Sequence, residues 1–125
     1  MVGFKKRTAI VDGSAIAPER LSRLREICFS FPDCEEKEAW GDPTWRIKNK
    51  IFAVQKGNHK GARPSVWLKG GPGAQAMLID ANPASFFVPP YVGSKGWIGL
   101  YLDTPEINWS EFEYLAGVSY ALVRK

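Results

Sequence analysis

The chain has 125 residues, 45% of them hydrophobic and 24% charged, with a formal net charge of +4. That length suits one domain, because chains usually divide only beyond roughly 250 residues, and no run approaches the roughly 18 apolar residues of a membrane span. Two cysteines, Cys28 and Cys34, are too few for a disulfide scaffold, and a single histidine, His59, excludes a histidine-rich metal centre.

At the amino end, Lys5-Lys6-Arg7 is not followed by the roughly 7–15 apolar residues of a secretory signal. A cytoplasmic protein with free thiols is therefore expected. Residues 1–16 have no clear period and read as a loosely attached extension, with Phe4, Ile10 and Val11 available to pin it. Residues 17–125 then form the single domain.

Pro18 suits the first position of a helix. Leu21, Leu24, Ile27, Cys28 and Phe31 follow at spacings of three and four, which gives one apolar stripe. Arg20, Arg23 and Glu26 fall off that stripe and are expected in water. Pro32 and Asp33 end the helix. Glu35 to Trp40 reads as a short polar strand with Glu36, Glu38 and Trp40 on one face. Thr44–Lys48 and Ile51–Lys56 read as a hairpin about Asn49, a residue that tolerates the left-handed turn. A loop from Gly57 to Ala62 leads to a strand over 63–69, with Val66 and Leu68 inward and Trp67 and Lys69 outward.

Gly70-Gly71-Pro72-Gly73 opens a second helix, with Ala74, Met77, Leu78 and Ala81 on one side. The run from Phe86 to Tyr91 holds Pro89 and Pro90, which favours an ordered, buried loop over a central strand. Trp97–Leu102 is a further strand with Ile98, Leu100 and Leu102 inward. Asn108 with Glu111 marks the start of a last helix, carried on by Phe112, Leu115, Ala116, Ser119, Leu122 and Val123. Strands in succession, covered by helices, predict an α+β domain of two layers: an antiparallel sheet with helices packed on one face.

The search for chemistry gives few motifs. The glycines match neither a phosphate loop nor a dinucleotide fingerprint. Ser65, Ser94 and Ser110 lack a nucleophile elbow. Alternation separates Glu35 from Glu36 and Glu38, so no metal set converges. No catalytic residue, cofactor or metal is expected, and the protein reads as a non-enzyme.

Two features remain. Between positions 43 and 69 there are seven basic residues and no acid. Folded into neighbouring strands, that interval makes a basic surface able to attract an anion. The five tryptophans fall partly on the side of the sheet away from the core. Trp67 lies opposite Val66 and Leu68, and Trp97 shares its side with Tyr101. This surface is either a second small core or a ligand-binding groove beneath the proline-rich loop.

Several segments carry a resemblance. They are Glu38-Ala39-Trp40-Gly41-Asp42-Pro43-Thr44-Trp45-Arg46, Lys50-Ile51-Phe52-Ala53, Lys69 with Pro72-Gly73, Phe86-Phe87-Val88-Pro89-Pro90-Tyr91-Val92-Gly93 and Gly96-Trp97-Ile98-Gly99. From Leu24 onward the chain resembles the MmcQ/YjbR family of small bacterial proteins. The resemblance implies a double-wing fold similar to the frataxin-like superfamily, and members are described as predicted DNA-binding proteins. Asp42 stands where the family often has histidine, and Trp45 where it often has phenylalanine.

Two readings of function follow. In the first, a monomer contacts the phosphate backbone of double-stranded DNA through basic wing loops bearing Arg46, Lys48, Lys50, Lys56, Lys60 and Arg63. In the second, Trp40, Trp67, Lys69, Tyr91 and Trp97 bind a small anionic ligand or a peptide beneath the Pro-Pro-Tyr loop. Neither reading involves a membrane.

Overall fold

The computed structural model describes residues 15–125. Most of the 1–16 extension, with Phe4, Ile10 and Val11, lies outside the described residues. Ile16 is buried in the core, and its N–H donates to Asn58 Oδ1 at 3.2 Å.

Helix α1 (Pro18–Phe29) starts on the proline and buries Leu24, Ile27 and Cys28. Arg20 does not face free water as expected. Its guanidinium donates to the carbonyls of Leu102, Thr104 and Pro105 at 2.9, 2.6 and 3.0 Å, tying α1 to a loop 80 positions on. Arg25 reaches Glu36, whose second role is to accept from the Trp45 indole at 3.0 Å.

Four strands then form a meander: β1 (Glu35–Ala39), β2 (Asp42–Ile47), β3 (Lys50–Lys56) and β4 (Ser65–Lys69). Helix α2 (Ala74–Ala81) and the short edge strand β5 (Phe86–Phe87) follow. A 3-10 turn over Gly93–Lys95 leads into β6 (Trp97–Tyr101), and helix α3 (Trp109–Val123) closes the chain. The six strands are ordered β1-β2-β3-β4-β6-β5 and every pairing is antiparallel. This is an α+β domain whose three helices pack against a six-stranded sheet.

The two hairpin turns have the same design. Ala39 faces Asp42 across Trp40-Gly41, and Ile47 faces Lys50 across Lys48-Asn49. All four turn residues have positive φ, from 54° to 83°, as a two-residue turn between right-twisted strands requires. Trp40 is therefore a turn residue, 99% exposed, and not the last residue of the strand.

Between Trp45 and Arg46 the register slips: β2 advances one residue while β3 passes from Ala53 to Ile51. Phe52 is thus the extra residue of a bulge, and Phe52, Ala53 and Trp45 are all fully buried. Phe52 meets Phe31 and Tyr120 with ring centroids 5.8 and 5.4 Å away. Ser119, also fully buried, donates to Phe52 O at 2.7 Å and accepts from Lys69 N at 2.9 Å. One hydroxyl therefore fastens α3 to two strands. The inward set of α3 includes Tyr120, which the apolar spacing passed over, while Leu122 is only half-buried.

Helix α2 packs lightly, and the proline-rich run departs from expectation. No residue of α2 is fully buried, and Met77 is 67% exposed. The proline-rich run is well formed but mixed. Phe86 and Pro89 are buried, whereas Val88 and Tyr91 stand in solvent.

Candidate functional site

The helices cover one face of the sheet and leave the other open. Register fixes what lies there. Ser65 is paired with Tyr101, Trp67 with Gly99, and Val54 with Trp67. Phe87 is opposite Gly99, and the missing side chain is what admits its ring, because a Cβ there would sit 2.3 Å from Phe87 Cζ. Phe87 stacks on Tyr101 at 4.4 Å between centroids.

The Arg63 guanidinium lies 3.5 Å from the Tyr101 ring centroid and is held by both oxygens of Asp103, the closest contact being 2.7 Å. The hydrogen bond to Asp103 raises the Arg63 pKa further. Nearby, the Lys56 ammonium sits 5.2 Å over the Trp67 ring and pairs with Asp42 at 3.1 Å. The Trp67 indole donates to Ser65 Oγ at 3.1 Å.

These side chains frame two hollows. The larger, about 410 Å³, lies between the β3–β4 loop and the Pro-Pro-Tyr turn. Its walls include Trp67, Tyr91, Phe87 and Tyr101, and its rim includes Lys56, His59 and Arg63. The smaller, about 260 Å³, is walled by Trp40, Trp67 and Trp97 over Ile51 and Val54. Lys56 and Trp67 line both, so the two hollows adjoin and together make one groove on the open face.

The loop on its rim is built, not slack. Gly57 takes φ +83°, and a Cβ on it would come 1.9 Å from the Arg63 carbonyl oxygen. Gln55, fully buried below, donates to Lys56 O at 2.9 Å, and Ala62 N–H closes a turn on His59 O at 3.0 Å. Trp40 and Tyr91, at the two mouths, hold φ of +56° and +69°. Non-glycine residues reach that region at a cost of about 1–2 kcal/mol each, and such outliers gather at functional positions. Tyr91 is 93% exposed.

The six basic residues singled out in the sequence fall into two groups. Lys56, Lys60 and Arg63 gather at the β3–β4 loop beside the larger hollow. Arg46, Lys48 and Lys50 lie at the β2–β3 turn, the far end of β3, which at about 3.3 Å per residue is roughly 20 Å away. There Arg46 donates to Thr44 Oγ1 and Asn49 Oδ1, and Lys50 to Lys125 O. Of the five aromatic-groove candidates, Trp40, Trp67, Tyr91 and Trp97 are brought together. Lys69 lines a separate apolar hollow of about 310 Å³ between α2 and α3. Phe87 and Tyr101 belong to the groove and were not singled out as site residues. Gly99, set between Trp97 and Tyr101, was the available sign that a ring crosses the strand there.

Among the described residues no group of three or more His, Cys, Asp or Glu side chains could hold a metal ion. Burial pushes the Cys34 thiol up to about 11 and that of Cys28 well above its ordinary value, so both are thiols at neutral pH. No helix of the described residues is long and apolar enough to cross a membrane.

A crystal structure of a protein from Pseudomonas syringae matches this fold with a TM-score of 0.62 at 18% sequence identity, over 82% of this chain and 98% of that one. No curated protein matches the sequence. The YjbR family model matches residues 29–122, which include all six strands, α2 and nearly all of α3, and the chain belongs to the YjbR family.

Proposed function

We propose that this protein is a non-catalytic, monomeric nucleic-acid-binding protein whose contact surface is the open face of the sheet at the β3–β4 loop. Membership of the YjbR family suggests a nucleic-acid or other ligand-binding role. The observation that carries the choice is the convergence of Lys56, His59 and Arg63 on the rim of an aromatic-walled hollow, with exposed Lys60 on the same loop. Phosphates meet the cations, and ring faces lie directly inside them.

The internal pairs do not forbid this. Lys56–Asp42 is a single-contact, near-surface pair, and such pairs contribute only about 0–1 kcal/mol, whereas Arg63–Asp103 is bidentate and firmer. Exchange of the carboxylate for a phosphate is therefore inexpensive at Lys56, while Asp103 keeps Arg63 aimed at the groove. The second basic group, at the β2–β3 turn, supplies at most an outlying contact.

Titration of a labelled oligonucleotide at several salt concentrations tests the reading. Three phosphate contacts predict a slope of log K against log salt of about −2 to −3. Lys60→Ala should weaken all sequences alike and make the slope shallower by about 1. Binding that is absent near physiological salt, or indifferent to salt, contradicts it.

The volume of the larger hollow favours a second reading. At about 410 Å³ it lies within the usual range for small-molecule pockets, about 300–1,000 Å³. A planar anion would bind there with a salt slope near −1 and no dependence on oligonucleotide length.

A further inference from the structure

Resting on the nucleic-acid reading, we propose that the partner is single-stranded, with unpaired bases entering the two hollows and the strand crossing over Lys56. The groove offers ring faces. Trp67 separates the hollows, Tyr91 stands at the mouth of the larger one and Trp40 at the mouth of the smaller. The bases of a duplex present only their edges, because their faces are stacked on one another; unpaired bases present the faces that aromatic side chains stack upon.

Two features of these rings agree. Trp40 and Tyr91 are 99% and 93% exposed, so neither ring contributes to the core. Both occupy positive-φ positions, where glycine or asparagine would suit the backbone better. At Tyr91 the backbone bears that cost with a large ring held in water, while at Trp40 the two-residue hairpin turn sets the conformation and leaves the ring exposed.

Among the cations Lys56 alone is central, with Arg63 and Lys60 on the loop beside the larger hollow. Lys56 lies where the two hollows meet, over Trp67. A phosphate linking a base in one hollow to a base in the other passes beside that ammonium and takes the place of Asp42. Arg46 and Lys50 flank the Ile51 end of the smaller hollow, where both are engaged within the protein, Arg46 on Thr44 Oγ1 and Asn49 Oδ1 and Lys50 on Lys125 O.

The test uses the full chain and three labelled probes at one ionic strength: an oligothymidine of about 12 nucleotides, its duplex, and an abasic strand of equal length, within known single-strand site sizes. The oligothymidine is expected to bind about tenfold tighter than either other probe. Tyr91→Ala should cost it about tenfold while changing duplex binding less than twofold. Trp40→Ala, also fully exposed, serves as the second variant, and thermal melts of both confirm folding.

If duplex and abasic strand bind as well as oligothymidine, backbone binding stands and the single-strand proposal falls. Tighter binding to duplex also overturns it. A single-strand preference unaffected by either variant overturns the placement of the bases. If no probe binds, the nucleic-acid reading fails as well.

Discussion

Phe86→Ala is expected to destabilise the fold by about 3–5 kcal/mol, whereas Lys60→Ala should change stability by less than about 0.5 kcal/mol. Phe86 is 2% exposed and belongs to the hydrophobic core, although its strand, β5, has two residues and forms the edge of the sheet. Its neighbour Phe87 points the opposite way, onto Tyr101. The β5 segment is thus a spacer with one ring in each layer. Removing the inner ring leaves a cavity beneath α2, which buries no residue completely and has little packing with which to compensate. A domain of this size has about 5–15 kcal/mol of stability in total, so the variant loses a large share. Denaturant melts of the two variants measure both values. Similar small effects would mean that β5 is detachable and that the aromatic layer of the open face does not depend on it.

The second large effect is expected at Gly57→Ala. Its Cβ would meet the backbone carbonyl of Arg63 at 1.9 Å, and its φ of +83° is unfavourable for alanine. The neighbour is main chain and not the tip of a flexible side chain, so the loop itself must open. The left-handed conformation costs about 1–2 kcal/mol, and relief of the overlap adds about 1–3 kcal/mol. Oligonucleotide affinity should fall more than tenfold, since the opened loop carries Arg63 away from Tyr101 and releases the rim of the hollow. Gly61→Ala is the control. It has a similar φ, but nothing lies within 4 Å of its Cβ position, so it bears the backbone cost alone. Equal losses in the two variants would mean that the shape of the loop does not organise the site.

Much of this architecture was legible in the chain because local signals and burial agree. Pro18 opens α1, Asn108 caps α3 by accepting from Glu111 N–H at 3.0 Å, and Ile98, Leu100 and Leu102 are all buried. Two-residue periodicity also separated Trp67 from Val66 and Leu68, which is the origin of the open aromatic face.

The misreadings have physical causes. Trp40 reads as a strand residue because tryptophan favours strands and tolerates φ > 0 poorly, yet the turn places it at +56°. The Phe52 bulge cannot be seen in a pattern of single residues, since it depends on pairing with β2. Arg20 lies off the apolar stripe of α1, and its carbonyl partners are more than 80 positions away. The acid-free interval suggested one basic surface, but a strand runs through it. Strand length, not charge count, sends Lys48 and Lys50 to one end and Lys60 and Arg63 to the other. Asp103, which orients Arg63, is 40 residues away in sequence.

The five tryptophan indoles give the most direct test that the open face of the sheet is the binding surface. In an amide and indole ¹H–¹⁵N NMR titration with an oligonucleotide, the resonances of Trp40, Trp67 and Trp97 should shift together. Trp45, buried and bonded to Glu36, and Trp109, packed edge-on against Phe112 in α3, should stay in place. Shifts confined to Trp109 and the helix amides, with the three open-face indoles unmoved while the oligonucleotide is bound, would contradict the assignment.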